Sequence, residues 1–245
     1  MPLDRAALFL DLDGTLTPIV ERPDSVGPDA ARDDLLRRAD ERLQGRLAVV
    51  SGRSIADLDR ILCGAAPCLG GSHGLERRDA AGVATAAAAH PRLTEAVDAF
   101  RTLSAEDEAL VLEVKPLSVA LHYRGRPGAA ETVLATARRL AHETGLALQE
   151  GRMVAELRTP GADKGDVLEA FMTEPPFTGA LPIFVGDDLT DEPALAAAAR
   201  LGGFGLLVGD REDTAATARL PDPAAVADWL ERSLRTGMFR AEKES

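Results

Sequence analysis

The sequence has few cysteines and few aromatic residues, and it contains no long hydrophobic run. Its two cysteines, Cys63 and Cys68, are too few for a disulfide framework, and no cysteine and histidine cluster has the spacing of a zinc site. We expect two small buried or half-buried thiols. No apolar segment approaches the roughly 18 residues of a membrane span. The N-terminal segment also lacks the features of a signal peptide, so we predict a soluble, cytoplasmic protein.

Basic residues are scarce, with 28 lysines and arginines against 40 acidic residues and a formal net charge of −12 at pH 7. This excess of acid argues against nucleic acid and anionic membranes as partners, because both require basic patches. A small anionic substrate is not excluded, because a bound cation can reverse the potential inside a pocket. The 245 residues suffice for one large domain or two modest ones, and we predict a monomer.

Short, fully apolar segments alternate with helical patterns near both ends of the chain. This alternation predicts a parallel sheet with helices on both faces. The predicted strands are residues 7–10, 46–50, 182–185 and 204–208. The predicted helices are residues 28–43, a helix ending near residue 62, and residues 163–172, 190–201 and 223–234.

The middle of the chain differs, because residues 109–115, 118–124 and 153–158 alternate apolar with polar side chains. Such alternation predicts strands with one face in water. Helices are predicted at residues 92–103 and 127–144, and the alanine-rich residues 84–89 are predicted as a loop or helix start. The predicted fold class is α/β: a Rossmann-like, doubly wound parallel sheet with an inserted α+β domain. We place the core at residues 1–76 and 160–245, and the insertion at residues 77–159.

Two carboxylates follow the first apolar strand in the segment DLDGT, as Asp11 and Asp13. Two carboxylates so close repel each other unless a divalent cation is shared or one is protonated. Mg²⁺, which prefers oxygen ligands, would remove the repulsion. The alternative is a helix cap or an Asx-turn without chemistry.

Three further polar groups follow predicted strands or begin helices: Ser51 in VVSGR, Lys164 in GADKG, and the acidic run GDDLTDE at residues 186–192. Considered by itself, Ser51 could simply cap the next helix. Lys164, considered by itself, could be a solvated surface lysine. Thr190 as a helix cap accounts for the acids that follow it, but it leaves Asp187 unexplained. These loops should converge at one edge of the sheet. Together they predict phosphoryl transfer, with Asp11 and Asp13 dividing nucleophile and acid/base roles.

The motifs DLDGTLTPI, VVSGR, GADKG and GDDLTDE resemble those of the haloacid-dehalogenase superfamily of phosphatases. The segments GSHGLE, LEVKPLSVALHYR and VAELRTPGADKG are similar to the trehalose-6-phosphate phosphatase family. The resemblance covers residues 8–209 and implies a superfamily core with a C2-type cap. It also implies hydrolysis of trehalose 6-phosphate through an aspartyl-phosphate.

The resemblance assigns roles to the core residues. Asp11 is the implied nucleophile and Asp13 the acid and base. Mg²⁺ is implied to bind the Asp11 and Asp187 carboxylates and the main-chain carbonyl of Asp13. The phosphoryl ligands are expected to be Ser51 and Lys164. The groups expected to orient the metal water or Lys164 are Asp188 and Asp191.

We expect the sugar to be recognised by the solvent-exposed face of the inserted sheet, at Glu113, Lys115 and Glu156. Without the resemblance, these side chains would simply pair on an exposed sheet. The expected substrate-binding set further includes Gly52, Arg53, His73, His122 and Arg124. Two alternatives remain: a phosphatase for sucrose 6-phosphate or mannosyl-3-phosphoglycerate, or a binding module that accepts a phosphoryl group without turnover.

Overall fold

The computed structural model describes residues 1–20, 23–151 and 153–241. The chain divides into two compact units, one of Met1–Ala86 with Ala162–Ser245 and one of Ala87–Gly161. We predicted the insertion at residues 77–159. Its first boundary differs by ten residues, because the hairpin that begins at Glu76 pairs with the sheet of the first unit.

The predicted strands and helices occur in the predicted order, and five strands that had not been predicted, β3, β4, β5, β8 and β12, lie between or after them. The strands are β1 Ala6–Leu10, β2 Leu47–Val50, β3 Cys68–Gly71, β4 Glu76–Arg78, β5 Ala84–Ala86, β6 Val111–Val114, β7 Ser118–His122, β8 Ala147–Gly151, β9 Val154–Arg158, β10 Leu181–Gly186, β11 Phe204–Val208 and β12 Ala218–Leu220. The α-helices are α1 Ala30–Arg42, α2 Ile55–Leu62, α3 Leu93–Glu106, α4 Ala130–Thr144, α5 Lys164–Met172, α6 Glu192–Arg200 and α7 Pro223–Thr236. Short 3-10 segments occur at Leu3–Arg5, Pro23–Ser25, Ser72–Gly74, Pro127–Ala129 and Leu189–Asp191.

The first unit is built on a sheet of order β12-β11-β10-β1-β2-β3-β4-β5. Its strands from β12 to β3 are parallel, and the β4–β5 hairpin adds two antiparallel strands at one edge. Helices α1, α2 and α7 pack on one face of the sheet, and α5 and α6 pack on the other. Strand β1 lies between β2 and β10, so the loop after β1 lies between the loops after its two neighbours.

The second unit is an antiparallel sheet of order β6-β7-β9-β8. Its apolar core joins alternate residues of these strands, such as Val119, Leu121 and Leu157, to α3 and α4. The residues between them face away from that core, because successive side chains of a strand point to opposite faces. This unit therefore has the one-sided sheet that the alternating pattern predicts.

Three local predictions were wrong. Residues 84–86 form β5 rather than a loop or helix start, because they pair with β4. The cap before α6 is not Thr190; the Asp188 carboxylate accepts from Leu189 N at 2.7 Å and caps a short 3-10 turn. Cys63 is exposed, whereas Cys68 is buried. Every helix within the described ranges is too short or too polar to cross a lipid bilayer.

Candidate active site

The loop after β1 presents Asp11 and Asp13 at the carboxyl edge of the first sheet. Asp11 stays in register with β10, because its N–H donates to Val185 O at 2.9 Å. The chain then turns sharply at Gly14, whose φ is +83°. A Cβ at Gly14 would lie 2.1 Å from Asp187 Oδ2, so only glycine allows the β1 loop to approach Asp187 this closely.

Lys164 links two of the acidic loops. It begins α5, which is capped by the Asp163 carboxylate. The Lys164 ammonium donates to Asp11 Oδ1 at 2.9 Å and to Asp191 Oδ1 at 2.6 Å, and its side chain is 2% exposed. Burial alone would lower the pKa of Lys164, but the two carboxylates outweigh burial and raise that pKa. The lysine therefore remains a cation and neutralises part of the acidic charge at this edge.

The carboxylates of Asp11, Asp187 and Asp191 each place an oxygen within 4.8 Å of the others. Asp191 already uses both oxygens, because Oδ1 binds Lys164 and Oδ2 accepts from the N–H groups of Asp187 and Asp188 at 3.0 Å. In contrast, Asp187 Oδ1 is buried and has no hydrogen-bond partner among the described residues. Asp11 and Asp187 are thus the side chains best disposed to bind a hard cation.

The pKa values of these acids reflect the crowding. Burial raises the pKa of Asp11 well above its usual range, Lys164 opposes this rise, and Asp191 and Asp187 add to it. Burial, together with Asp191 and Asp188, raises the pKa of Asp187 to about 7. A divalent cation at this position would favour both ionised carboxylates, so the arrangement fits a metal site.

Asp13 has a different environment from Asp11. Its carboxylate accepts two hydrogen bonds from the Arg53 guanidinium, at 2.7 Å from Nε and 2.8 Å from Nη2. The Asp13 side chain is 37% exposed, against 5% for Asp11. The two aspartates of DLDGT therefore have separate cationic partners, and Asp13 is accessible to solvent.

The loop after β2 carries Ser51, Gly52 and Arg53 against the segment that contains His73. Ser51 Oγ accepts from Arg53 N at 3.3 Å, and Ser51 O accepts from His73 N at 3.0 Å. The His73 ring packs on Gly52, because a Cβ at Gly52 would lie 2.4 Å from its Cε1 and Nε2. Ser72 and His73 both have left-handed φ values, 49° and 56°, which are costly for these residues and are typical of functional segments.

The second unit brings another charged set together on its open face. The register pairs Glu113 with Ala120 and Ala120 with Glu156 across β6, β7 and β9. Lys115 Nζ lies 3.3 Å from Glu156 Oε1 and 3.7 Å from Glu113 Oε2, and His122 Nε2 lies 3.0 Å from Glu113 Oε2. Burial alone would raise the pKa of Glu113, but His122 and Lys115 outweigh it and lower that pKa. Arg124 lies beyond the end of β7 and is exposed.

The comparisons with known proteins settle the family. The family model described as trehalose-phosphatase matches residues 9–223. The chain belongs to the trehalose-phosphatase family. The trehalose-6-phosphate phosphatase of Escherichia coli (strain K12) is 38% identical to it over 228 residues, which cover 92% of this chain and 85% of that protein.

Solved structures have the same fold as this member of the trehalose-phosphatase family. A trehalose-6-phosphate phosphatase related protein matches with a TM-score of 0.78 at 27% identity, over 94% of this chain and 97% of that one. A haloacid dehalogenase-like hydrolase from Bacteroides thetaiotaomicron matches with a TM-score of 0.65 at 18% identity, over 92% and 98% of the two chains. The predicted α/β fold class, a Rossmann-like superfamily core with an inserted cap, is confirmed.

This trehalose-phosphatase family member has site residues that sequence reasoning missed. Ser118 Oγ donates to Glu156 Oε1 at 2.5 Å and so belongs to the charged set of the second unit. Gln149 lies opposite Glu156 in the register of β8 and β9. Ser118 was detectable, because it precedes His122 by four residues on one strand and therefore shares its face. Gln149 was not, because strand β8 had not been predicted.

Proposed function

We propose that this trehalose-phosphatase family member hydrolyses trehalose 6-phosphate in two steps through a phosphoryl group carried by Asp11. In the first step, an Asp11 carboxylate oxygen attacks phosphorus and the bond between phosphorus and the sugar oxygen breaks. A proton from Asp13 goes to the departing oxygen. In the second step, water attacks phosphorus, Asp13 takes its proton, and the bond to Asp11 breaks to release phosphate.

The observation that carries this proposal is the position of Asp11 close to both Lys164 and the half-buried Asp187 carboxylate. The lysine, 2.9 Å from Asp11 Oδ1, is placed to stabilise the charge that develops on the phosphoryl oxygens. Ser51 lies on the neighbouring loop and supplies a hydroxyl donor. Asp191 holds Lys164 and the 187–188 backbone in place, and Asp188 fixes the turn that follows.

A magnesium ion is proposed at Asp11 and Asp187, with the main-chain carbonyl of Asp13 as the third protein ligand. The unpartnered Asp187 oxygen and the all-oxygen donor set support this choice. When bound, the ion neutralises phosphoryl charge and helps to align the phosphorus with Asp11. The chain itself contributes the fixed positions of the loops after β1, β2 and β10, which carry the proposed metal ligands and Ser51.

The sugar is proposed to bind the charged set of the second unit, at Glu113, Lys115, His122 and Glu156, with Arg124 beside it. Carboxylates and an ammonium suit the hydroxyl groups of a disaccharide, because each makes charge-assisted hydrogen bonds. In the first unit, Gly52 and His73 are also proposed to bind substrate. The monomeric state and the cytoplasmic location stay predictions.

Phosphate release from a substrate panel at fixed Mg²⁺ tests the function. The panel contains trehalose 6-phosphate, sucrose 6-phosphate, mannosyl-3-phosphoglycerate, glucose 6-phosphate and an aryl phosphate. We expect a preference for trehalose 6-phosphate of at least about a hundredfold, roughly 2.7 kcal/mol. Equal slow turnover of all five would retain the core chemistry and refute the sugar assignment.

Asp11→Asn is the control for the chemistry. It should abolish turnover of every ester, because the amide cannot attack phosphorus. A wild-type protein that retains a phosphoryl group on Asp11 without turnover would favour a phosphoryl-accepting binding module instead.

A further inference from the structure

The Arg53 guanidinium holds both oxygens of the Asp13 carboxylate. Its Nε donates to Oδ2 at 2.7 Å and its Nη2 donates to Oδ1 at 2.8 Å. The arginine side chain is only 9% exposed, whereas that of Asp13 is 37% exposed. Asp13 is therefore fixed on its buried side and open on the other side, where a reacting group can reach it.

Arg53 is itself fixed before any substrate binds. Its N–H donates to Ser51 Oγ at 3.3 Å and its carbonyl accepts from Ser72 N at 2.7 Å. A second acid, Asp57, lies 3.6 Å from Arg53 Nη1 by its Oδ2. The guanidinium thus keeps its position through its backbone and a second carboxylate, and does not depend on Asp13 alone.

This two-point contact fixes the orientation of the Asp13 carboxylate. A guanidinium presents its donors in a planar fork, so it matches two carboxylate oxygens that both accept. Arg53 therefore sets the plane and the direction of the Asp13 carboxylate.

Within the two-step reaction proposed above, on which this inference rests, Asp13 takes the proton of the attacking water in the second step. We propose that Arg53 is a positioning residue for hydrolysis of the phosphoryl-Asp11 intermediate, where it aims the Asp13 carboxylate at the attacking water. This differs from the sequence-based expectation that Arg53 binds substrate. Its Nε and Nη2 donors are already committed to Asp13.

The two roles predict opposite changes in KM for Arg53→Gln. With a ³²P-labelled aryl phosphate, the leaving group departs readily and the first step is fast. If Arg53 positions Asp13 for the second step, kcat falls about 10- to 100-fold, since general base catalysis contributes up to about 10⁴-fold. KM falls with it, kcat/KM changes little, and acid quenching traps more labelled enzyme.

Other results would overturn the proposal. A raised KM with lower kcat/KM and no labelled enzyme would make Arg53 a phosphoryl ligand. A lower kcat at unchanged KM without label would indicate only a smaller active fraction. Arg53→Lys is the second variant in case Arg53→Gln does not fold. Its single ammonium lacks the planar fork, so it should show the same pattern to a smaller extent.

Two reference variants separate this proposal from the function on which it rests. Asp13→Asn should trap labelled enzyme if the two-step reaction is correct. If labelled enzyme is trapped with Asp13→Asn but not with the Arg53 variants, the role of Arg53 is refuted and the two-step reaction stands. If no labelled enzyme is trapped with any of these variants, the two-step reaction is refuted as well. Arg60→Gln is the matched control, because Arg60 also binds Asp57, at 2.9 Å, but not Asp13. It should leave kcat, KM and the trapped label unchanged.

Discussion

Each of the two units places a lysine between two carboxylates, but the two trios differ in how tightly they are held. Lys164 lies 2.9 and 2.6 Å from Asp11 and Asp191, and its side chain is 2% exposed. Lys115 lies 3.7 and 3.3 Å from Glu113 and Glu156, and its side chain is 16% exposed. The same combination of charges has short contacts and is buried in the first unit (the tight trio). In the second unit its contacts are longer and its lysine is more exposed to solvent (the loose trio).

The difference matches the role proposed for each site. A phosphoryl transfer site benefits from groups fixed in advance, because reorganisation during the reaction costs activation free energy. A surface for sugar hydroxyls benefits from charged groups that can exchange one hydrogen-bond partner for another. The longer distances around Lys115 leave its ammonium able to exchange a carboxylate partner for a sugar hydroxyl.

The tight trio should show the largest effect when its cation is removed. Lys164→Met would leave Asp11 and Asp191 buried without their shared partner, so we expect at least about a thousandfold lower turnover of any ester. The free energy of unfolding should fall by about 3–5 kcal/mol. Urea unfolding measures this, and millimolar Mg²⁺ should restore part of the loss.

Lys115→Met is the matched variant from the loose trio. It should lower the free energy of unfolding by less than about 1 kcal/mol, as expected for a partly exposed ion pair. Equal destabilisation by the two lysine variants would contradict the contrast between the trios.

The loose trio should control which ester is hydrolysed. Glu156→Gln and Glu113→Gln each remove a charge-assisted hydrogen bond, so kcat/KM for trehalose 6-phosphate should fall about 10- to 100-fold. For an aryl phosphate, which has no sugar, kcat/KM should stay within about threefold. Steady-state kinetics with both esters measures the two values.

Glu150→Gln is the control for this pair of variants. Glu150 also lies on the antiparallel sheet, but on its other face, where it pairs with Arg138. Turnover of both esters should be unchanged. If the Glu113 and Glu156 variants lost turnover of both esters equally, the second unit would not be a specificity surface.

Substitution of Ser118 should have the smallest effect on the loose trio, because it changes one hydrogen bond and no charge. Its hydroxyl donates to Glu156 at 2.5 Å, so Ser118→Ala removes one neutral donor and leaves every charge in place. We expect kcat/KM for trehalose 6-phosphate to fall about fivefold, or about 1 kcal/mol. Ser104→Ala, whose hydroxyl donates only to Arg101 O within α3, should change neither ester. No effect at Ser118 would mean that Glu156 is held without it.

The strands that carry the core site could be predicted because their signal is local. A parallel strand buried on both faces is a short apolar run, as in LAVV and PIFV, and the polar residue after it marks the carboxyl edge. Asp11, Ser51 and Asp187 were found by that rule. The proximity of Lys164 to Asp11 was expected from the polar groups taken together, although Lys164 begins α5 and follows no strand of the first sheet.

Other features depended on pairing between distant residues and left no local pattern. Strand β5 is three exposed residues that become a strand only by pairing with β4. The contact between Arg53 and Asp13 joins residues 40 positions apart, and a sequence pattern shows no such pairing. The sequence could not show that Asp188, rather than Thr190, forms the cap, because aspartate and threonine both cap helices well.

The central position of β1 has a consequence for synthesis on the ribosome. Strand β1 is complete by residue 10, but its partner β10 begins only at Leu181. While the intervening chain is made, one edge of β1 has no strand beside it, and its N–H and C=O groups can pair with other chains. Asp11 likewise meets Lys164 and Asp187 only after the whole antiparallel unit has been translated. A nascent chain that stops within that unit would carry Asp11, the proposed nucleophile, without Lys164, and would be both inactive and prone to aggregate.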